Sequence, residues 1–209
     1  MKIVIGNTLL GTEFIDDLRL TFPALEFESA YTEYDRLSSI VNADVFFGLP
    51  SVDEFAVAAK LKWIHCPGTG IDEIAENQSL VNSEVIVTNA RGPHTEPMAD
   101  HVFAFILNFA HLMREQNTDQ QLQKWEREKY KGQVQDLNGS TMGILSLGGI
   151  GMAVAKRAKG FGMNIYAVDN AKMCPPDGVE DVWGLDRLDD LIRISDWFVV
   201  TSPLTPDTR

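Results

Sequence analysis

Apolar positions in the first ninety residues fall in short runs separated by helical patterns. Residues 2–5, 25–27, 45–47, 63–64 and 85–87 read as brief buried strands bounded by turns. Between the first four, residues 14–20, 34–41 and 52–60 carry the three-to-four spacing of amphipathic helices. Strand alternating with helix requires crossover connections, and these build a parallel sheet. Two prolines and a glycine in Asn89-Ala-Arg-Gly-Pro-His-Thr-Glu-Pro97 then break the rhythm, which marks a hinge and a domain boundary. Pro97 is expected to open the next helix as its first residue. Residues 98–113 are apolar almost all round and predict a helix buried between domains or subunits. Residues 115–131 are polar around Leu122 and Trp125, as on a solvated surface.

Composition sharpens this picture. The 209 residues, 44% of them hydrophobic, suffice for one large domain or two small ones with a real core. Thirty acidic side chains against eighteen basic ones leave a net charge of −12, which argues against a nucleic-acid or anionic-membrane partner. The charge is uneven. Residues 1–100 hold sixteen acids and six bases, whereas residues 101–209 hold fourteen and twelve. Cys66 and Cys174 are too few for a disulfide framework and have no metal-ligand spacing, so free thiols in a reducing cytoplasm and no bound metal are expected. The first ten residues lack the character of a secretory signal, and the apolar stretch 102–110 is too short to span a membrane.

The chemistry concentrates in Thr141-Met-Gly-Ile-Leu-Ser-Leu-Gly-Gly-Ile-Gly151. A β-run ends near Leu147, a glycine-rich turn follows, and an amphipathic helix runs to about Phe161. Asn164-Ile-Tyr-Ala-Val-Asp169 is a second strand ending in an acid. This is the context of a dinucleotide-binding turn: glycines admit a pyrophosphate to the backbone, and the helix N-terminus offers it free N–H groups. Gly148 and Gly151 stand at the second and third glycine positions, Gly149 and Ile150 lie between them, and Ser146 replaces the first glycine. Asp169 would accept hydrogen bonds from a ribose 2′-hydroxyl and repel a 2′-phosphate, which favours NAD over NADP. The alternative is an ordinary βαβ unit whose glycines only permit close packing.

Five collinear segments carry a family resemblance. They are Leu61-Lys-Trp-Ile-His-Cys-Pro-Gly-Thr-Gly-Ile-Asp72; Asn89-Ala-Arg-Gly-Pro-His with Met98-Ala-Asp-His101; Asp136-Leu-Asn-Gly-Ser-Thr-Met-Gly143; the glycine turn; and Ser195-Asp-Trp-Phe-Val-Val-Thr-Ser-Pro-Leu-Thr-Pro-Asp-Thr208. Together they resemble the D-isomer-specific 2-hydroxyacid dehydrogenases, the group of phosphoglycerate, glyoxylate/hydroxypyruvate and D-lactate dehydrogenases. The resemblance implies that backbone N–H groups of Gly68, Thr69 and Gly70 hold a substrate carboxylate, with Arg91 as a further cation. It also implies that Ser202, Pro203 and Thr208 line the cofactor cleft. His65, His94, His101 and His111 do not stand where the family's acid–base histidine would.

The expected fold class is therefore α/β: a flavodoxin-like parallel-sheet substrate domain over residues 1–98, followed by the first part of a Rossmann NAD-binding domain over residues 99–209. The expected partners are NAD, a small 2-oxo or 2-hydroxy acid and a second copy of the chain. The implied activity is NAD-dependent oxidoreduction of small D-2-hydroxy acids. The family's catalytic arginine, glutamate and histidine are expected beyond Arg209, so that this chain reads as a C-terminally truncated, inactive portion. The alternative is a non-catalytic, corepressor-like NAD-binding protein.

Overall fold

A computed structural model of the chain describes residues 1–209 apart from Leu9, Ile71, residues 205–207 and Arg209. It forms two compact units, Met1–Gly92 and Pro93–Arg209. Their border falls inside the proline-broken stretch 89–97.

The first unit runs β1 (Lys2–Ile5), α1 (Thr12–Thr21), β2 (Glu26–Ser29), α2 (Glu33–Ile40), β3 (Val45–Phe47), α3 (Val52–Val57), β4 (Trp63–Cys66), α4 (Asp72–Glu76), α5 (Gln78–Val81) and β5 (Ile86–Asn89). All its strand pairs are parallel, as the alternating pattern predicts, and their order β2-β1-β3-β4-β5 is that of the expected flavodoxin-like sheet. Side chains of β1 divide between two apolar clusters. Val4 packs with Ile40, Phe46, Ile64 and Leu80, and Ile5 with Ile15 and Phe27. Helices α2 and α3 begin at capping boxes, Thr32 with Asp35 and Ser51 with Glu54, which take up N–H groups that the first turn leaves open. Glu54 is 1% exposed and ion-paired to Arg36 at 2.7 Å, while its other oxygen accepts from the Ser51 N–H.

The second unit runs α6 (Thr95–Ala110), α7 (Met113–Gln121), α8 (Arg127–Tyr130), β6 (Thr141–Leu145), α9 (Gly149–Gly160), β7 (Asn164–Val168), β8 (Asp181–Trp183), α10 (Leu188–Ile194) and β9 (Trp197–Val200). Its strands are parallel in the order β8-β7-β6-β9, the first four positions of the Rossmann order. Met142, Ile144, Ile165 and Ala167 of the central strands meet Val154 and Ala158 of α9, and Ala99, Phe103 and Ile106 of α6 belong to the same core. Phe103 stacks on Phe161 at 5.0 Å, and Arg157 of α9 pairs with Glu96 and Asp100 of α6.

Helix α6 departs from expectation at both ends. It begins at Thr95, so Pro97 is its third residue, still in the first turn where a missing N–H leaves no bond unmade. It ends at Ala110, because Leu112 takes a left-handed backbone and starts α7 as a separate helix. Only one side is buried within its unit; Met98, Phe105 and Phe109 stay exposed, Phe109 at 65%. Short elements α4, α5 and β8 and helices α7 and α8 carry too little periodicity to have been anticipated. No helix among the described residues is long and apolar enough to cross a membrane.

Two buried carboxylates make this fold testable. Replacing Arg36 with Met leaves Glu54 unpaired and is expected to destabilise the first unit by about 3 kcal/mol, the lower end for a broken buried pair because Arg36 is partly exposed, measured by denaturant unfolding. In the second unit, Asp119 accepts from Lys129 at 2.8 Å and from the Tyr130 hydroxyl, and both bonds, Lys129 first, hold its carboxyl below the usual aspartate range. A depressed pKa stabilises the fold above the unfolded-state value and loses that contribution as pH falls through the folded-state value. Asp119→Asn is therefore expected to reduce stability at neutral pH and to flatten its acid-side decline, read from unfolding midpoints across an acid pH series.

Candidate functional site

In the second unit, the carboxyl end of β6 leads through Ser146 and Leu147 into the turn at Gly148, where α9 starts. Ser146 occupies the left-handed region at φ +77°, a conformation suited to the glycine that the pattern would place there. Its N–H donates to the Val168 carbonyl at 2.8 Å, and its own carbonyl accepts from the Thr201 hydroxyl at 2.6 Å. Gly151 is required by close approach, since a Cβ there would lie 2.2 Å from the Ser146 carbonyl oxygen. Gly148 differs. A Cβ at this residue would meet nothing within 4 Å, so protein packing does not explain its missing side chain. The bare backbone leaves room for a ligand at the N-terminus of α9, which no side chain caps.

Asp169 stands one residue past β7, half-buried beside this turn. One carboxylate oxygen accepts from the Leu147 N–H at 2.7 Å and the other from the Ala171 N–H at 2.8 Å. Each oxygen retains a further acceptor position, so the acid ties the turn to β7 and can still receive a hydroxyl. Gly149 and Ile150 form the first turn of α9. Thr201 follows β9 and leads into Ser202 and Pro203, and Thr208 donates from its hydroxyl to the Pro203 carbonyl at 2.7 Å. The glycine turn, Asp169 and the segment after β9 thus lie at the carboxyl ends of three adjacent strands, the ligand side of an open α/β sheet.

In the first unit, Gly68, Thr69 and Gly70 leave the carboxyl end of β4, and Arg91 follows the end of β5. The loop is tied to β5: Asn89 donates from its amide to the Thr69 carbonyl at 2.8 Å, and the Thr69 hydroxyl donates to the Ala90 carbonyl at 3.1 Å. Among the described residues, no acceptor takes up the N–H groups of Gly68, Thr69 and Gly70, and Arg91 makes no ion pair. Three open N–H groups on small residues can hold a carboxylate. His65 is held on β4 by the Thr88 hydroxyl at 2.8 Å and by the rings of Phe47 and Trp63. His94 and His111 flank α6, and His101 lies on it against Phe105. Ile71 of the β4 loop motif and residues 205–207 of the last motif lie outside the described residues. Thr201 and Asn89, which pin the two loops, carry no spacing signal that would have singled them out.

Residues 103–209, more than half of the chain, match the family described as D-isomer specific 2-hydroxyacid dehydrogenase, NAD binding domain. The chain belongs to this family. It is 31% identical over 192 residues to D-3-phosphoglycerate dehydrogenase of Methanocaldococcus jannaschii, covering 88% of this chain and 36% of that protein. It is 33% identical over 190 residues to hydroxypyruvate reductase of Thermotoga maritima, covering 88% and 60%. A solved D-isomer specific 2-hydroxyacid dehydrogenase family protein from Aeromonas salmonicida shares the fold with a TM-score of 0.81 and 23% identity, over 99% of this chain and 65% of that one. The chain thus spans between about a third and two thirds of these relatives. The β6–α9 turn falls inside the residues that match the NAD binding domain.

The turn makes opposite demands at its two ends. Ser146→Gly relieves a left-handed serine and is expected to stabilise the second unit by about 0.5–1 kcal/mol. Gly151→Ala drives a methyl into backbone and is expected to destabilise it by about 2–3 kcal/mol, both by denaturant unfolding.

Proposed function

We propose that this chain supplies NAD and substrate-carboxylate binding to an oxidoreductase acting on the CH–OH group of small D-2-hydroxy acids, in the direction of reducing 2-oxo acids such as glyoxylate or hydroxypyruvate. The observation that carries the reading is the open backbone at Gly148, facing an uncapped helix N-terminus in a chain whose second half matches an NAD binding domain. Bound NAD supplies hydride chemistry. The chain's own residues bind and orient. The N–H groups at Gly148, Gly149, Ile150 and Gly151 hold the pyrophosphate, and Ser146 shapes the turn. Asp169 accepts from a ribose hydroxyl and disfavours a 2′-phosphate, while Ser202, Pro203 and Thr208 line the cofactor's path. Gly68, Thr69 and Gly70 hold the substrate carboxylate and exclude water from it, with Arg91 adding a positive charge.

A second reading is NAD binding without catalysis, which the same uncapped turn with its bare Gly148 backbone would serve. We assign no catalytic residue within this chain. The exposed face of α6, with Met98, Phe105 and Phe109, supports association with a second copy. The free thiols of Cys66 and Cys174 support a reducing, cytoplasmic setting.

Titration of the 209-residue chain with NADH and NADPH, followed by assays with glyoxylate and hydroxypyruvate, tests these readings. NADH is expected to bind more tightly than NADPH, and Asp169→Asn to narrow that preference about tenfold by removing the charge that repels a 2′-phosphate. Turnover of a 2-oxo acid would sink the non-catalytic reading. Failure of NADH to bind would sink both.

A further inference from the structure

The backbone of Ser146 is held at three points, and one of them is a side chain from a distant strand. Thr201, just past β9, donates its N–H to the Leu145 carbonyl at 3.0 Å. Its hydroxyl lies 2.6 Å from the Ser146 carbonyl and 3.2 Å from the Leu145 carbonyl. A hydroxyl has one proton to give, and the shorter contact assigns it to Ser146. The Ser146 N–H is meanwhile fixed to Val168. On the far side, the Ser146 carbonyl lies so close to Gly151 that a Cβ there would fall 2.2 Å from it, and that Cβ would be 3.0 Å from the Thr201 hydroxyl. Thr201, Ser146 and Gly151 therefore form one packed contact, in which the direction of a single carbonyl determines how α9 meets β6.

A glycine at residue 146 would adopt this conformation unaided; a serine does so against a steric penalty on its Cβ. Any relaxation of Ser146 toward ordinary φ turns its carbonyl and shifts the peptide leading to Gly148. We propose that Thr201 is a positioning residue for the cofactor turn. Its hydroxyl holds Ser146 in the left-handed conformation and so keeps the N-terminus of α9 aligned on the anion. The same residue leads into Ser202 and Pro203, so it also fixes where the lining segment begins relative to the turn. The proposal rests on the reading that this turn binds the dinucleotide. It adds the device by which a chain with serine at the first glycine position retains the turn's geometry.

The test is a double-substitution cycle in the 209-residue chain, read both by NADH fluorescence titration and by denaturant unfolding. Thr201→Val preserves shape, removes the donor and leaves the Ser146 carbonyl unpaired, so NADH binding is expected to weaken about five- to tenfold. Thr201→Ser keeps the hydroxyl and is expected to recover most of that loss. In the Ser146→Gly background the left-handed backbone needs no clamp, and Thr201→Val is then expected to weaken binding less than about twofold. Unfolding midpoints should show the same non-additivity. An equal loss in both backgrounds, or undiminished NADH affinity in Thr201→Val, overturns the proposal. If Thr201→Val folds only when combined with Ser146→Gly, the clamp is supported; if it folds in neither background, the role is general packing and the proposal fails. Should the unsubstituted chain not bind NADH, the cofactor reading falls, and an additive unfolding cycle would then remove the clamp as well.

Discussion

Close approach between the end of β6 and the first turn of α9 is the contact on which the second unit depends. The Ser146 carbonyl and Gly151 come so near that no side chain fits between them. That approach brings Val154 and Ala158 of α9 down onto Met142 and Ile144, closing the core. It also leaves the N-terminal end of α9 exposed at the carboxyl edge of the sheet, with a bare backbone at Gly148. Close packing and an open backbone therefore come from the same turn. Gly151 is required by what it touches, whereas a side chain at Gly148 would touch nothing.

The two units place their candidate groups by the same rule. Both sheets are parallel, so every strand delivers its following loop to one edge. In the first unit that edge carries the Gly68–Thr69–Gly70 loop, tied down by Asn89 and Thr69 itself. In the second it carries the glycine turn, Asp169 and the segment after β9. Loops fixed by side chain-to-backbone bonds can hold unpaired N–H groups in place, which a mobile loop could not do at low entropic cost.

Much of this was legible in the residues. Strand and helix alternation predicted parallel sheets because a helix between two strands carries the chain back by a crossover connection. The glycine spacing between two strands located the turn, and Asp169 marked the end of the second strand. Other features carried no local signal. Helix α6 reads as apolar on all sides, yet within its unit it buries Ala99, Phe103 and Ile106 and exposes Phe109. Its ends carry no local signal, since Pro97 is tolerated throughout a first turn and Leu112 adopts a left-handed backbone that its side chain does not announce. Short elements such as α4, α5 and β8 span too few residues for a period to register.

By itself, the order of residues determined the α/β class, the β6–α9 turn as the candidate cofactor site, and the family resemblance carried by five collinear segments. These depend on neighbours in the chain, where spacing and residue type act directly. Only the tertiary structure decided how the serine in the first glycine position is accommodated. The answer lies in Thr201, 55 residues away, whose hydroxyl reaches the Ser146 carbonyl because β9 pairs with β6. It likewise decided that Asp169 receives the Leu147 and Ala171 N–H groups, which tie the turn to the end of β7. Hydrogen bonds between strand ends are set by sheet order and register, which bring together residues that no sequence window contains.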